Sequence, residues 1–326
     1  MNLHRNPDPV NDMNASRLHR KSRIENYSSC LWRSLALTGL LAVGSVRVNA
    51  QDLAYDSPSD GSDGALSIPA PFASGVEGTG IAYDPVRKEL VAFGGTTGAV
   101  DFTPGSGVIG LNQTWIDDGT GWREIFPATS PSPRYGHRMV WDPNSNGGAG
   151  AILLFGGRSS GAEITPETWI WKGDDTNPTW QKLNLGVQPV GLRLFAMAYD
   201  DARGEVLLYG GASGTQVKGE TWTWSGTEWA QETPANPPAG GWGLQMAYDA
   251  ARGKVVLFGG RNSNGAQLTN ETYTWDGSNW TKLAPATRPF PRTGHFMEYD
   301  AEAGLVILHG GTSNNQAGKL NDTWAW

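Results

Sequence analysis

Six side chains in this sequence have types and spacings that could hold a ligand. Two copies of an Arg-x-Gly-His motif supply four of them, and an arginine and a tryptophan precede the matching strands of two intervening segments. The six residues are Arg134, His137, Arg193, Trp242, Arg292 and His295. Guanidinium groups grip carboxylates through forked hydrogen bonds, and aromatic rings stack on apolar or sugar-like faces. If these residues surround one opening, they predict a site for an anionic or sugar-like ligand.

The same residues also allow a purely structural interpretation. Because Arg-x-Gly-His recurs ahead of two strands, its side chains could instead bridge neighbouring repeats. The two histidines have no carboxylate or third histidine at metal-ligand spacing, so no metal is predicted. The sequence contains no Ser-His-Asp constellation, phosphate-binding loop or dinucleotide fingerprint. We therefore assign no catalytic residue and no cofactor.

The elements that position these residues come from a repeat. An apolar strand that ends in two glycines occurs five times, and the first glycines are 62, 54, 49 and 51 residues apart. Paired glycines allow backbone bends and close approaches that a side chain would block. The pairs are Gly94 and Gly95, Gly156 and Gly157, Gly210 and Gly211, Gly259 and Gly260, and Gly310 and Gly311.

Further markers accompany every glycine pair in a constant order. A Tyr-Asp or Trp-Asp dipeptide comes before each pair, and a Thr-Trp or Thr-Tyr dipeptide follows it. The aromatic residues of the second marker are Trp115, Trp169, Trp222, Tyr273 and Trp324. Four of the five units then contain a further tryptophan. Self-similarity at this period indicates a repeat architecture.

This order of markers resembles the kelch repeat, and the match spans about residues 75–326. The resemblance implies a secreted, bacterial-type member of the galactose oxidase and kelch class of propellers. It also implies one four-stranded blade per repeat. We therefore predict an all-β fold, a β-propeller of about five kelch-type blades, over residues 65–326.

The fifth unit reaches the end of the sequence before its fourth strand. The stretch around residues 65–70 resembles the fourth strand and exit of the fourth unit, so we expect it to supply the missing outer strand and close the ring. An open ring would leave unpaired strand edges. The alternatives are a truncated chain and a sixth, irregular blade.

Strand direction reverses at each step through a blade, so the longer connections gather on one face. Loops of that kind carry function more often than the scaffold does. The six candidate residues precede the innermost strands and belong to this face. We expect a partner or ligand to meet the protein there, near the central axis.

Residues 1–50 are typical of a secretory signal, with a basic leader, an apolar run from Leu35 to Val46 and a small-residue ending at Ala50. This run of twelve residues is too short to cross a bilayer, which takes about 20 apolar residues. We predict a secreted or periplasmic protein without a membrane span after cleavage; an uncleaved anchor is the alternative. Residues 51–64, rich in Asp, Ser and Gly, are predicted to form a flexible lead-in.

The net charge of the chain excludes nucleic acid as a partner. The leader holds seven of the 25 basic and three of the 32 acidic residues, which leaves residues 51–326 with a net charge of −11. Such a surface repels nucleic acid. The only cysteine, Cys30, lies in the leader, so the mature chain has no disulfide or thiolate.

Two functions remain. The first is an exported, non-enzymatic kelch propeller that binds a protein or a glycan. The second is a carbohydrate-active enzyme that resembles periplasmic sialic-acid isomerases, with a central pocket to which Arg134, Arg193 and Arg292 contribute. The resemblance to galactose oxidases implies a copper site with a cysteine-crosslinked tyrosine, and residues 51–326 lack any cysteine.

Overall fold

A computed structural model describes residues 76–97, 108–159, 166–173, 177–264, 267–314 and 318–326. Apart from one short 3-10 helix, Asn146–Gly148, the regular elements in these ranges are β strands. They form five antiparallel sheets of three or four strands, which we number as blades 1 to 5 in chain order, and four short two-stranded ladders in the connections.

Each sheet follows the chain order of its strands, from the first strand to the last. Blade 5 has three strands within the described residues, and the other blades have four. The strands of blade 1 are Gly80–Asp84, Glu89–Phe93, Thr114–Asp117 and Trp122–Ile125, and those of blade 2 are Arg138–Asp142, Ala151–Phe155, Thr168–Trp171 and Trp180–Lys182. Blade 3 contains Ala196–Asp200, Glu205–Tyr209, Thr221–Trp224 and Trp229–Glu232, blade 4 contains Gln245–Asp249, Lys254–Phe258, Thr272–Trp275 and Trp280–Leu283, and blade 5 contains Phe296–Asp300, Leu305–His309 and Thr323–Ala325.

The second strand of a blade is buried on both faces, as its continuous apolar sequence predicts. In blade 3, Val206 and Leu208 pack towards blade 2, whereas Leu207 and Tyr209 pack towards blade 4. All four side chains are fully buried. The core therefore lies between the blades.

The first strands of successive blades contact one another, so they are the innermost strands of the assembly. Together with the clusters between neighbouring sheets, this arrangement is a β-propeller of five blades. The fold predicted from the repeat is confirmed.

The glycine pairs lie where the backbone of the next blade's entry segment passes closest. Gly156 and Gly157 have φ of +66° and +95°. A Cβ on Gly156 would lie 2.4 Å from the carbonyl oxygen of Leu192, and one on Gly157 would lie 2.9 Å from the Cβ of His137. A side chain at either position would therefore collide with the neighbouring segment.

A repeated hydrogen bond joins successive blades. The indole nitrogen of the fourth-strand tryptophan donates to the threonine that opens the third strand of the preceding blade. These bonds join Trp180 to Thr114, Trp229 to Thr168, and Trp280 to Thr221, each at 3.0 Å. The two markers of the repeat thus meet across every boundary from blade 1 to blade 4.

The predicted signal at residues 1–50, the lead-in at 51–64 and the ring-closing strand at 65–70 lie outside the described residues. Across the ranges that the structure covers, no helix combines the length and apolarity needed to span a membrane.

Candidate functional site

The propeller has two unlike faces. The links between blades and the loops between second and third strands lie on one side, which we call the loop face; the links from first to second and from third to fourth strands lie on the other, the turn face. Because the six predicted site residues lie in or next to the links that enter each blade, all six belong to the loop face.

Arg134 is fully buried and bonded on every side of its guanidinium. Nε donates to the carbonyl of Ser132 at 3.0 Å, Nη1 to that of Gly156 at 3.0 Å, and Nη2 to the hydroxyl of Ser132 at 3.0 Å. Nη2 also forms an ion pair with Glu167 at 2.6 Å. Arg134 therefore ties the entry segment of blade 2 to that blade's glycine pair and third strand.

Glu167 balances this buried charge. Partial burial alone would raise the pKa of Glu167, but hydrogen bonds from Lys182, Arg134 and Trp169 outweigh it and lower the pKa to about 2. The Lys182 ammonium lies 2.5 Å from one carboxylate oxygen, and the Trp169 indole nitrogen lies 3.0 Å from the other.

Arg292 repeats the arrangement in blade 5. Its guanidinium donates to the carbonyls of Phe290 at 3.1 Å and Gly310 at 2.9 Å. It also makes two hydrogen bonds of 2.7 Å to the carboxylate of Asp322. The indole nitrogen of Trp324 donates to that same carboxylate at 2.6 Å.

Arg193 occupies a different position in the repeat from Arg134 and Arg292. It pairs with Ala212, the residue after the glycine pair of blade 3. In blades 2 and 4 the residues that pair at this point are Tyr135 and Trp242. Arg193 is thus the counterpart of Tyr135 and Trp242.

The side chain of Arg193 is mostly buried and incompletely bonded. Nη2 donates to the carbonyl of Gly214 at 3.1 Å, while Nε is shielded from solvent and has no hydrogen-bond partner among the described residues. Burial, and then the positive charge of Arg158, lower the pKa of Arg193.

Trp242 stacks with a cation of its own blade. The guanidinium carbon of Arg261 lies 5.3 Å from the centre of the Trp242 ring. The two residues are also directly paired in a short two-stranded ladder. This contact explains the position of Trp242 without a ligand.

His137 and His295 are packed in the boundaries between blades and are almost fully buried. His137 meets the ring of Phe93 edge-on at 5.6 Å, and His295 meets Phe258 in the same way at 5.5 Å. Blade 3 has Phe195 at this position. None of the four ring nitrogens makes a well-formed hydrogen bond within the described residues.

Burial keeps both imidazoles neutral. It lowers the pKa of His137 and of His295 to about 3, and positive charges reinforce the effect. Those charges are Arg134 and Arg138 for His137, and Arg292 and Arg138 for His295. An imidazole whose pKa is lowered so far is a weak base near neutral pH.

The structure therefore pairs Arg134 with Glu167 and Arg292 with Asp322, and separates Arg193 from both. The sequence analysis missed the two acidic partners. A signal was available, since each carboxylate immediately precedes the Thr-Trp marker of its blade.

Exposed apolar side chains collect on the loop face. Seven large hydrophobic residues of the described chain are well exposed, and five of them lie in loop-face connections. Those five are Ile109, Phe126, Val187, Val190 and Phe290. Tyr83 and Val86 lie at the turn-face end of blade 1.

One open groove of about 340 Å³ lies towards the turn face, between blades 2 and 3. Ile170, Leu183 and Leu185 give it apolar walls, and Lys172 and Asn184 contribute polar groups. None of the six predicted site residues lines it. Within the described ranges, no group of three or more His, Cys, Asp or Glu residues is placed to hold a metal ion.

Comparison with known proteins supports the fold. No protein-family profile matches the chain, and no curated protein matches it. Among solved structures, the chain is similar to one titled "Structure of YjhT", with a TM-score of 0.58 and 12% sequence identity over 77% of this chain and 81% of that one. The likeness shows a shared propeller fold. At this identity it shows the fold alone, and membership of the kelch family stays a prediction.

Proposed function

We propose that this chain is an exported, non-enzymatic propeller of the kelch type that binds a protein partner through its loop face. The observation that carries the proposal is the concentration of exposed apolar side chains there. Phe126 is 81% exposed and Ile109 is 70% exposed. Exposed apolar groups that gather on one surface favour protein contact, because docking removes them from water.

The geometry of the connections favours the loop face as well. Phe126, Val187 and Phe290 belong to three different links between blades. Each blade holds its neighbour through buried packing, so these links start and end on a rigid scaffold. Aromatic anchors held in that way lose little conformational freedom when a partner binds.

Charge narrows the class of partner. Without the leader, residues 51–326 carry a net charge of −11, so a strongly acidic surface would be repelled. The partner surface expected here is apolar at its centre and neutral or basic around it.

The contacts of the predicted ligand ring support the non-enzymatic proposal over the carbohydrate-active one. That alternative needs Arg134, Arg193 and Arg292 to face a common pocket. Arg134 and Arg292 instead use their guanidinium groups in bonds to Glu167 and Asp322 and to nearby backbone carbonyls. Arg193 belongs to another position of the repeat.

Site-specific photo-crosslinking tests the proposal. A photoreactive phenylalanine analogue replaces Phe126 or Phe290 in the full chain, produced in its native cells. Val86, 66% exposed on the turn face, is the matched control position. We expect both loop-face positions to yield an adduct of the same mass with one protein, and position 86 to yield none. Equal adducts from all three positions, or no adduct from any, would contradict the proposal.

A further inference from the structure

Arg138 opens the innermost strand of blade 2 at its loop-face end. The corresponding residues of the other blades are Gly80, Ala196, Gln245 and Phe296. Arg138 is therefore the one charged side chain at this level of the innermost strands. None of its four counterparts is charged.

The guanidinium of Arg138 is only partly bonded. Nε donates to the carbonyl of Phe195 at 2.9 Å, which draws the side chain towards blade 3. Nη2 is shielded from solvent and has no hydrogen-bond partner within the described residues. The residue as a whole is partly accessible, so a small molecule can approach it.

No carboxylate offsets this charge. Arg134 and Arg292 each have an acidic partner, but Arg138 forms no ion pair among the described residues. Burial is the only influence on the pKa of Arg138 and lowers it to about 10. An enclosed cation without a counter-ion is unfavourable, and an anion relieves it.

The positive charge of Arg138 reaches residues of two blades. Arg138 is close enough to lower the pKa of both His137 in blade 2 and His295 in blade 5. Its charge thus acts across the centre of the propeller. The nearby histidines are neutral at pH 7, so Arg138 is the group among these three that carries a charge for an anion to pair with.

We propose that Arg138 binds the carboxylate group of a small anionic ligand at the loop-face end of the central channel. A carboxylate suits a guanidinium because two oxygens accept two parallel N–H groups. Gln245, whose side chain makes no hydrogen bond within the described residues, offers an amide from blade 4, and Phe296 offers an apolar surface from blade 5. The ligand class is therefore a small organic acid with an apolar part.

This site does not depend on the protein partner proposed above. The partner uses exposed residues of the links, whereas the organic acid uses the first residues of the innermost strands. Loss of one activity leaves the other in place.

Titration of the full chain in carboxylate-free buffer tests the site. Benzoate is compared with benzamide, its neutral counterpart, at constant ionic strength set with chloride. We expect benzoate to raise the thermal midpoint in a saturable way and benzamide to have no effect. An equal response to both ligands, or no response to benzoate, would overturn the proposal without recourse to any variant.

Variants locate the binding group. Arg138→Gln removes the charge, and Arg288→Gln is the matched control, since Arg288 is exposed and, among the described residues, donates only through Nε to the carbonyl of Pro285. Benzoate is expected to bind the control as it binds the parent, and to bind Arg138→Gln at least tenfold more weakly. Undiminished binding to Arg138→Gln would overturn the proposal.

A second variant separates binding from folding. Arg138→Lys keeps a positive charge but loses the two parallel N–H groups of the guanidinium. The affinity for benzoate is therefore expected to fall about tenfold, while the protein still folds. Without ligand, Arg138→Gln is expected to unfold at the same temperature as the parent or higher, because a cation without a counter-ion is removed. If Arg138→Lys binds benzoate as tightly as the parent does, the fork plays no part and the proposal is wrong.

Discussion

Arg292 and Asp322 form a forked ion pair, in which two guanidinium nitrogens donate to the two carboxylate oxygens at 2.7 Å each. The arginine is fully buried, and the aspartate is partly exposed. The pair joins the entry segment of blade 5 to the start of that blade's third strand. Arg134 and Glu167 form the corresponding ion pair in blade 2, through a single guanidinium nitrogen.

Removal of this arginine is expected to destabilise the protein. Arg292→Gln removes the arginine donors to the Asp322 carboxylate and to two carbonyls and leaves that carboxylate without its cation, so we expect a loss of about 3 kcal/mol in the free energy of unfolding. Urea denaturation measures it. Arg288→Gln, on the exposed side of the same link, should change stability by less than about 0.5 kcal/mol. Equal midpoints for the two variants would contradict a structural role for Arg292.

The buried histidines predict loss of stability in acid. The unfolded chain binds protons on them below about pH 6.5, whereas the folded chain does so only near pH 3. The neutral, buried histidines contribute fully to the free energy of unfolding above pH 6.5. As the pH falls, this contribution is lost, by about 2 kcal/mol for each histidine at pH 5. His137→Phe places in blade 2 the residue that blade 3 has as Phe195. This variant should lose about 2 kcal/mol less than the parent between pH 7 and pH 5. Urea midpoints at pH 7 and pH 5 test this, and an unchanged difference between them would refute it.

Glu205 predicts a pH dependence of the opposite sign. Burial, followed by the charges of Asp200 and Glu232, raises the pKa of Glu205 to about 7. The folded state therefore holds a proton that the unfolded chain releases above its ordinary pKa of 4.5. The contribution of Glu205 to the free energy of unfolding is therefore complete below pH 4.5 and is lost as the pH rises through 7.

Glu205→Gln should accordingly be more stable than the parent at pH 8 and equal to it at pH 4. We expect a gain of about 1 kcal/mol, because water screens a partly exposed carboxyl group. Thermal unfolding across this range measures the gain. Glu228→Gln, at an exposed position, serves as the control. An equal gain in this variant would contradict a specific effect of the raised pKa of Glu205.

The bond between Trp280 and Thr221 predicts the effect of a substitution that preserves shape. Thr221→Val leaves the buried indole N–H without an acceptor, which should cost about 1–3 kcal/mol. Thr281→Val, on the exposed fourth strand of blade 4, is the matched control. If chemical denaturation finds both variants equally stable, the inter-blade bond contributes nothing.

The ring-closing strand predicted at residues 65–70 can be tested by the alternation of its side chains. If that stretch adds a strand to blade 5, Leu66 and Ile68 share one face and Ser67 lies on the other. Ile68→Asp should then lower the thermal midpoint, and Ser67→Asp should not. Equal midpoints for the two variants would contradict ring closure by this segment.

Export predicts a definite amino terminus. Mass spectrometry of the protein recovered outside the cytoplasm should find a chain that begins at Gln51, after cleavage at Ala50. A chain that keeps residues 1–50 in that compartment would contradict the predicted signal and favour the uncleaved anchor.

The sequence by itself determined the number of blades, the order of their strands and the sites of close backbone contact. These features are local and repeat in every unit, so each copy of Gly-Gly or Thr-Trp confirms the others. The repeat also identified Trp280 and Thr221 as markers, although their bond joins residues 59 positions apart.

Only the tertiary structure decided which side chains share a site. Arg193 resembles Arg134 in the sequence, but its pairing with Ala212 makes it the counterpart of Tyr135. A shift of one residue along an extended chain turns a side chain to the other face, and backbone pairing alone settles that register. The same holds for Arg138, whose missing partner becomes visible only when distant segments are brought together.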